Sequence, residues 1–161
     1  MAQSMSRSEM DRIGCLYAET VDQAFRNYKS AIVTTDDKAC MKTFLEKVFE
    51  ENTGKLYADF YYPVLSKEQQ EAFCAGLSAE EMAMLGRFDG ERQIYYQVDE
   101  SELGFLFDIT AREWLFSTFY TAEKKIMIWG NYHLEFPVFC ETQEVLDFYL
   151  DLAKKCGMEW H

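Results

Sequence analysis

The feature that most constrains the fold is a pair of adjacent segments, 114–122 and 125–136, that carry large apolar side chains on both faces. Both segments are typical of β-strands, and Glu123 with Lys124 between them predicts a two-residue hairpin turn. With that turn, one face holds Trp114, Phe116, Thr118, Tyr120, Met127, Trp129, Asn131 and His133, and the other holds Leu115, Ser117, Phe119, Ile126, Ile128 and Tyr132. The sheet is therefore either covered on both sides, or it exposes an aromatic binding surface.

Apolar residues recur at spacings of three and four in several other segments, which predicts helices. These helices span about 8–32, 35–54, 66–75, 78–87 and 142–156. Ser66 with Gln69, and Ser78 with Glu81, form capping-box patterns at the starts of the third and fourth helices. The first two helices are expected to form an antiparallel hairpin.

Two more strands are predicted at 55–64 and 92–98, whereas 104–109 fits either a strand or a helix capped by Ser101. A chain of 161 residues suits one domain. We therefore expect a single α+β domain over 1–161, in which the helical hairpin, two short central helices and a C-terminal helix pack on an antiparallel sheet, with residues 1–7 flexible. The predicted core includes Phe44, Val48, Phe119, Ile128, Phe148 and Leu152.

The charge of the chain limits its partners. The sequence has 28 acidic and 16 basic residues, a net charge of −12. Phosphate binding requires a basic surface, so nucleic acid is not an expected partner, whereas a basic protein is. The alternative is that the acidity only maintains solubility. No run approaches the ~20 apolar residues of a membrane span, and no signal peptide is evident, so a cytoplasmic location is expected without membrane contact.

One short stretch concentrates the acidic residues. Asp89, Glu91, Asp99, Glu100 and Glu102 flank the strand predicted at 92–98, with only two basic residues nearby. Such a group projects a negative field that accelerates encounter with a basic protein. We therefore predict a docking surface at this edge, with Trp129 or Tyr132 as an aromatic anchor. The alternative is a solvated acidic loop.

The residues that usually carry chemistry form no recognisable motif. The chain has two histidines, and no two of its five cysteines have the close spacing of a structural zinc site. No metal, cofactor or catalytic residue is therefore assigned, and an enzyme is the less favoured class. The alternative function is a small-molecule-binding protein or enzyme with an aromatic-lined pocket between sheet and helices, formed by Asp59, Trp114, Asn131 and His133.

Two stretches, Phe119–Ile128 and Glu144–Tyr149, resemble the small acidic immunity proteins of bacterial toxin systems, including those of contact-dependent inhibition. The resemblance implies a bacterial protein that binds and neutralises a cognate toxin. If that toxin is a nuclease, its surface is expected to be basic. The sequence leaves the oligomeric state open.

The cysteines generate the first testable prediction. Their odd number, long irregular spacings and apolar neighbours indicate reduced thiols in a reducing compartment. Thiol titration of the native protein under denaturing, non-reducing conditions should count five. A count of three or one would reveal disulfides and contradict this assignment.

Overall fold

A computed structural model describes residues 1–161 as an α+β protein built on one eight-stranded antiparallel sheet. The strands are β1 (Gln3–Met5), β2 (Lys29–Thr34), β3 (Leu56–Asp59), β4 (Tyr95–Val98), β5 (Thr118–Tyr120), β6 (Met127–Trp129), β7 (Glu135–Cys140) and β8 (Glu159–Trp160). Their order across the sheet is β1-β4-β3-β5-β6-β7-β2-β8. The predicted fold class is confirmed.

Seven helices connect these strands. They are α1 (Arg7–Ile13), α2 (Val21–Asn27), α3 (Lys38–Glu51), α4 (Lys67–Ala75), α5 (Ala79–Leu85), α6 (Glu100–Ala111) and α7 (Gln143–Lys155). Single 3-10 turns occupy Tyr62–Val64 and Tyr132–Leu134. None of the helices has the length and apolar character needed to cross a membrane.

The hairpin of β5 and β6 has the predicted register, since Thr118 pairs with Trp129 and Tyr120 with Met127. Its strands are shorter than the predicted 114–122 and 125–136, because the chain turns at Tyr132–Leu134 and then enters β7. Both of its faces are covered. Phe119 on one face belongs to a core cluster of 31 buried residues, whereas Tyr120 on the other belongs to a cluster of 11. Helices α3 to α7 contribute to the larger cluster, and α1, α2 and the loop between them contribute to the smaller one.

The ambiguous stretch 104–109 is part of helix α6. Asp99, rather than Ser101, caps this helix: its Oδ1 accepts the Glu102 N–H at 2.8 Å, and Glu102 Oε1 accepts the Asp99 N–H at 2.9 Å. The capping boxes predicted at Ser66 and Ser78 are both present. Local hydrogen bonding therefore sets the starts of α4, α5 and α6.

The single helix predicted over 8–32 is wrong. Gly14, with a φ of 95°, ends α1, and after the short helix α2 the chain enters β2. The predicted helical hairpin therefore does not form, because β2 separates α2 from α3 and pairs with β7. Ala31 and Val33 alternate into the interior. The segment also offers Tyr28, Ala31 and Ile32 at spacings of three and four, which suit one face of a helix.

The first residues also differ from expectation. Residues 1–7 are predicted to be flexible, but residues 3–5 form edge strand β1 beside β4, and Arg7 begins α1. Ala2 is buried, and its N–H donates to the carbonyl oxygen of Arg87 at 3.0 Å. The sheet edge thus orders a segment that has no strong strand pattern of its own.

The core prediction is correct for Phe44, Val48, Phe119 and Ile128, which are buried, and wrong for Phe148 and Leu152, which are half-buried. Helix α7 instead inserts Leu146, Tyr149, Leu150 and Ala153. Phe148 lies at the side of this face, where its ring packs on Tyr149 and lies under the Lys124 ammonium group. The helix is thus rotated slightly from the predicted orientation.

This difference predicts unequal costs for two matched truncations. Phe44→Ala should lower the free energy of unfolding by about 3–5 kcal/mol, because it opens a cavity in the larger core. Phe148→Ala should cost roughly half as much, since part of the ring is already hydrated. Urea denaturation of the two variants measures the difference, and equal losses would contradict the observed orientation of α7.

Candidate functional sites

Two of the five acids predicted to form the docking surface are ion-paired with Arg87. Arg87 Nη2 lies 2.9 Å from Asp99 Oδ2, and Arg87 Nε lies 2.9 Å from Glu102 Oε2. Glu102 is only 1% exposed. Its assignment to a partner surface is therefore wrong, and Asp99 is engaged in capping α6 and in binding Arg87.

The sheet register separates the other predicted docking residues. Glu100 follows the end of β4 that adjoins Leu56, whereas Asp89 and Glu91 precede the opposite end, where Tyr95 pairs with Asp59. Trp129 lies three strands away from β4. Asp89, Glu91 and Tyr132 are exposed. Asp89 and Glu91 belong to the segment that enters β4, whereas Glu100 belongs to the helix that follows it.

Glu100 instead joins acids from other helices around a groove of about 520 Å³ between α3, α5 and α6. The acids that line it are Glu46, Glu80, Glu81, Glu100 and Asp108. Lys42 is the only basic residue in the lining, and the apolar lining residues are Leu45, Met84, Leu103, Phe105 and Phe107. The groove therefore combines an acidic rim with an apolar floor.

Helix geometry explains part of this concentration. Glu80 and Glu81 lie in the first turn of α5 and Glu100 in the first turn of α6, where the positive end of a helix favours carboxylates. Two acids of the groove have basic partners: Glu81 pairs with Arg112, and Asp108 lies 3.9 Å from Lys38. Glu46, Glu80 and Glu100 have no ion-pair partner within 4.0 Å.

The second candidate site surrounds Asp59, on the opposite face of the sheet. Asp59 ends the buried strand β3 and is 4% exposed. Its Oδ1 accepts the Thr118 N–H at 2.7 Å, and its Oδ2 accepts the Tyr120 hydroxyl at 3.2 Å. The carboxyl group lines a cavity of about 210 Å³ with Tyr17, Ala18, Glu19, Tyr61, Tyr95, Phe116, Thr118, Tyr120, Trp129 and Gly130.

Burial dominates the electrostatics of this carboxyl group. Desolvation raises the pKa of Asp59 to about 7, against the lowering effect of the hydrogen bonds from Thr118 and Tyr120. Burial also raises the pKa of Tyr120 well above its usual value, and the adjacent Asp59 carboxylate contributes to that shift. Asp59 can therefore exist in either protonation state near neutral pH.

Of the four residues predicted to form an alternative pocket, only Asp59 lines this cavity. Trp114 lies in a separate apolar cleft with Phe73, where a Cβ atom on Gly76 would come within 2.7 Å of the indole. Asn131 and His133 are exposed and outside the cavity lining. Trp129, predicted as a docking anchor, is instead part of the cavity wall.

The cavity tyrosines Tyr17, Tyr61, Tyr95 and Tyr120 were not predicted as site residues. Two of them carried a signal in the sequence, because Tyr61 alternates with Asp59 and Tyr120 lies on the predicted aromatic face of the hairpin. Tyr95 joins them by pairing with Asp59 across β3 and β4, and Tyr120 joins through its hydrogen bond. Both contacts span long sequence separations.

The chain holds no group of three or more His, Cys, Asp or Glu side chains placed to bind a metal ion. No protein-family model matches it, and no curated protein or solved structure is significantly similar to it. Its two candidate sites consequently depend on the geometry and charge described above.

The raised pKa of Asp59 generates a pH prediction. Between about pH 4 and pH 7 the unfolded chain releases the Asp59 proton while the folded protein retains it, so raising the pH favours unfolding. Asp59→Asn removes this effect. Between pH 5 and pH 8, the stability of the variant relative to wild type should rise by roughly 2–3 kcal/mol. Urea denaturation at both pH values measures the change, and parallel pH profiles would contradict it.

Proposed function

We propose that the chain is a binding protein that docks a basic partner protein, and that the groove between α3, α5 and α6 is its docking surface. One observation carries the proposal: three glutamates without ion-pair partners, Glu46, Glu80 and Glu100, surround an apolar floor. This groove differs from the docking surface that the sequence predicts at residues 89–102. Glu100 belongs to both.

Charge complementarity favours a basic partner over a neutral or acidic one. The lining of the groove carries five acids against Lys42, and the whole chain carries −12. A negative field of this kind raises the association rate with basic proteins and repels acidic ones. Apolar side chains such as the half-buried Met84 would then supply contact area once solvent is displaced.

The class of partner is suggested by the resemblance to immunity proteins. The two stretches that carry it form the β5–β6 hairpin and the first part of α7, which belong to the structural frame rather than to the groove. The proposed role is neutralisation of a toxin domain inside a bacterial cytoplasm. A toxin that binds nucleic acid has a basic surface for phosphates, and this surface would complement the groove.

Neutralising the groove should slow association. We expect Glu46→Gln/Glu80→Gln/Glu100→Gln to lower the association rate constant for the partner and to weaken its salt dependence, because rim charges act mainly on encounter. The partner is first captured from the native host and identified. Stopped-flow association with the purified partner is then compared at about 10 mM and 150 mM salt, between which the screening length falls from roughly 30 Å to 8 Å.

The matched control is Glu68→Gln/Glu71→Gln/Glu144→Gln, which changes the net charge equally outside the groove. Each set contains two glutamates from first helical turns and one from a helix interior. The control should retain most of the wild-type rate. Equal effects of both sets, an acidic partner or a salt-independent rate would each refute docking at the groove.

A further inference from the structure

We propose that the cavity at Asp59 binds a small protonated amine, with its alkylammonium group held between the Asp59 carboxylate and the surrounding aromatic rings. This inference is independent of the docking groove, because the cavity lies on the other face of the sheet among residues of the smaller core. It assigns both a site and a ligand class.

The Asp59 carboxyl group has no cationic partner within the protein. Asp59 is almost fully buried, and no Lys, Arg or His nitrogen lies within 4.0 Å of it. Its two oxygens accept one hydrogen bond each, from Thr118 and Tyr120. An ionised carboxylate offers about four acceptor positions. An ammonium N–H group entering the cavity could use the remaining positions and supply the missing positive charge.

The wall of the cavity is rich in aromatic side chains. Six aromatic side chains line the cavity: Tyr17, Tyr61, Tyr95, Phe116, Tyr120 and Trp129. The faces of such rings are negative and attract cations within ~6 Å. Two of these rings already bind a cation of the protein itself, because the Arg7 guanidinium carbon lies 3.7 Å from the Tyr17 centroid and 5.4 Å from the Tyr95 centroid.

Access and size define the ligand further. Tyr17 and Tyr61 are 39% and 41% exposed, so the cavity meets solvent at these rings, while Asp59 lies at its buried end. The exposed Glu19 adds a second carboxylate to the lining, which disfavours anions. A volume of about 210 Å³ admits a short alkylamine but falls below the ~300–1,000 Å³ of pockets for drug-sized ligands.

The loop that closes the cavity is held in place. The Tyr28 hydroxyl donates to the Tyr17 carbonyl oxygen at 3.0 Å and accepts the Tyr17 N–H at 3.3 Å. The Glu19 N–H donates to Gln23 Oε1 at 2.7 Å. Because these bonds join the loop to α2 and its end, the wall is formed before any ligand arrives, which lowers the entropic cost of binding.

The test uses n-butylammonium as the probe, with n-butanol and butyrate as neutral and anionic probes of similar size. Binding is followed by NMR through the indole N–H signals of the three tryptophans. Only Trp129 lines the cavity, so its signal should shift with n-butylammonium, while the signals of Trp114 and Trp160 serve as internal controls. n-Butanol and butyrate should cause no comparable shift.

Two variants test which side chains contribute to the affinity for n-butylammonium. Asp59→Asn should weaken n-butylammonium binding by at least about tenfold, since it removes a charge-assisted hydrogen bond. The exposed control Asp89→Asn should leave the affinity unchanged. Phe116→Leu keeps the carboxylate and the reporting tryptophan, and it should weaken binding by about threefold or more through loss of a ring face. Far-UV circular dichroism confirms that each variant is folded.

The same chemistry could be supplied by a lysine side chain, so a peptide with a single internal lysine is titrated in parallel. Binding of free n-butylammonium supports a small-molecule ligand, whereas binding of the peptide alone supports the alkylammonium site and assigns it to a protein side chain. The triple groove variant should bind n-butylammonium like wild type, which separates this inference from the proposed function. Failure of both amines to bind, or equal binding of n-butanol, would overturn the proposal and leave a cavity that holds water only.

Discussion

Burial of the central strands on both faces is the constraint on which the rest of the structure depends. Every residue of β3 and β5 is buried, so their backbone groups have no access to water and must be paired within the sheet. Antiparallel ladders on both sides satisfy them and place these strands at the centre. Helices must then cover both faces, which divides them into one layer of α3 to α7 and another of α1 and α2.

The two layers are unequal, and the inequality creates the Asp59 site. The larger core has 31 buried residues and the smaller has 11, because two seven-residue helices and a loop cover less of the sheet than three long helices do. Side chains fill the larger layer. The thinner layer leaves a cavity bounded by tyrosines, where the Tyr120 hydroxyl group and the Thr118 N–H group make a buried carboxylate tolerable.

Arg87 has a comparable role among the acidic residues. It joins the chain after α5 to the start of α6 through Asp99 and Glu102, and so offsets two of the five acidic charges that the sequence concentrates there. The acidic groove arises where the first turns of α5 and α6 approach α3. Helix packing therefore brings together acids that are far apart in the sequence.

Features that depend on neighbours in the chain could be predicted from the sequence. These include the α+β class, the register of the β5–β6 hairpin, the capping boxes at Ser66 and Ser78 and the buried stripe of α3. Each follows from spacings of a few residues, where turn geometry and helical period restrict the outcome. The sequence also suggested, as an alternative, an aromatic-lined pocket that includes Asp59.

Features that depend on distant residues were decided only by the tertiary structure. Lys29–Thr34 becomes a strand because β7 lies beside it, against a local spacing that also suits a helix. In the cavity, Asp59 contacts Thr118 and Tyr120, which are about sixty positions away in the sequence. The buried Glu102 is paired with Arg87, which is also distant in the sequence. Such outcomes depend on which surfaces meet when the chain collapses, and a local pattern of residues does not contain that information.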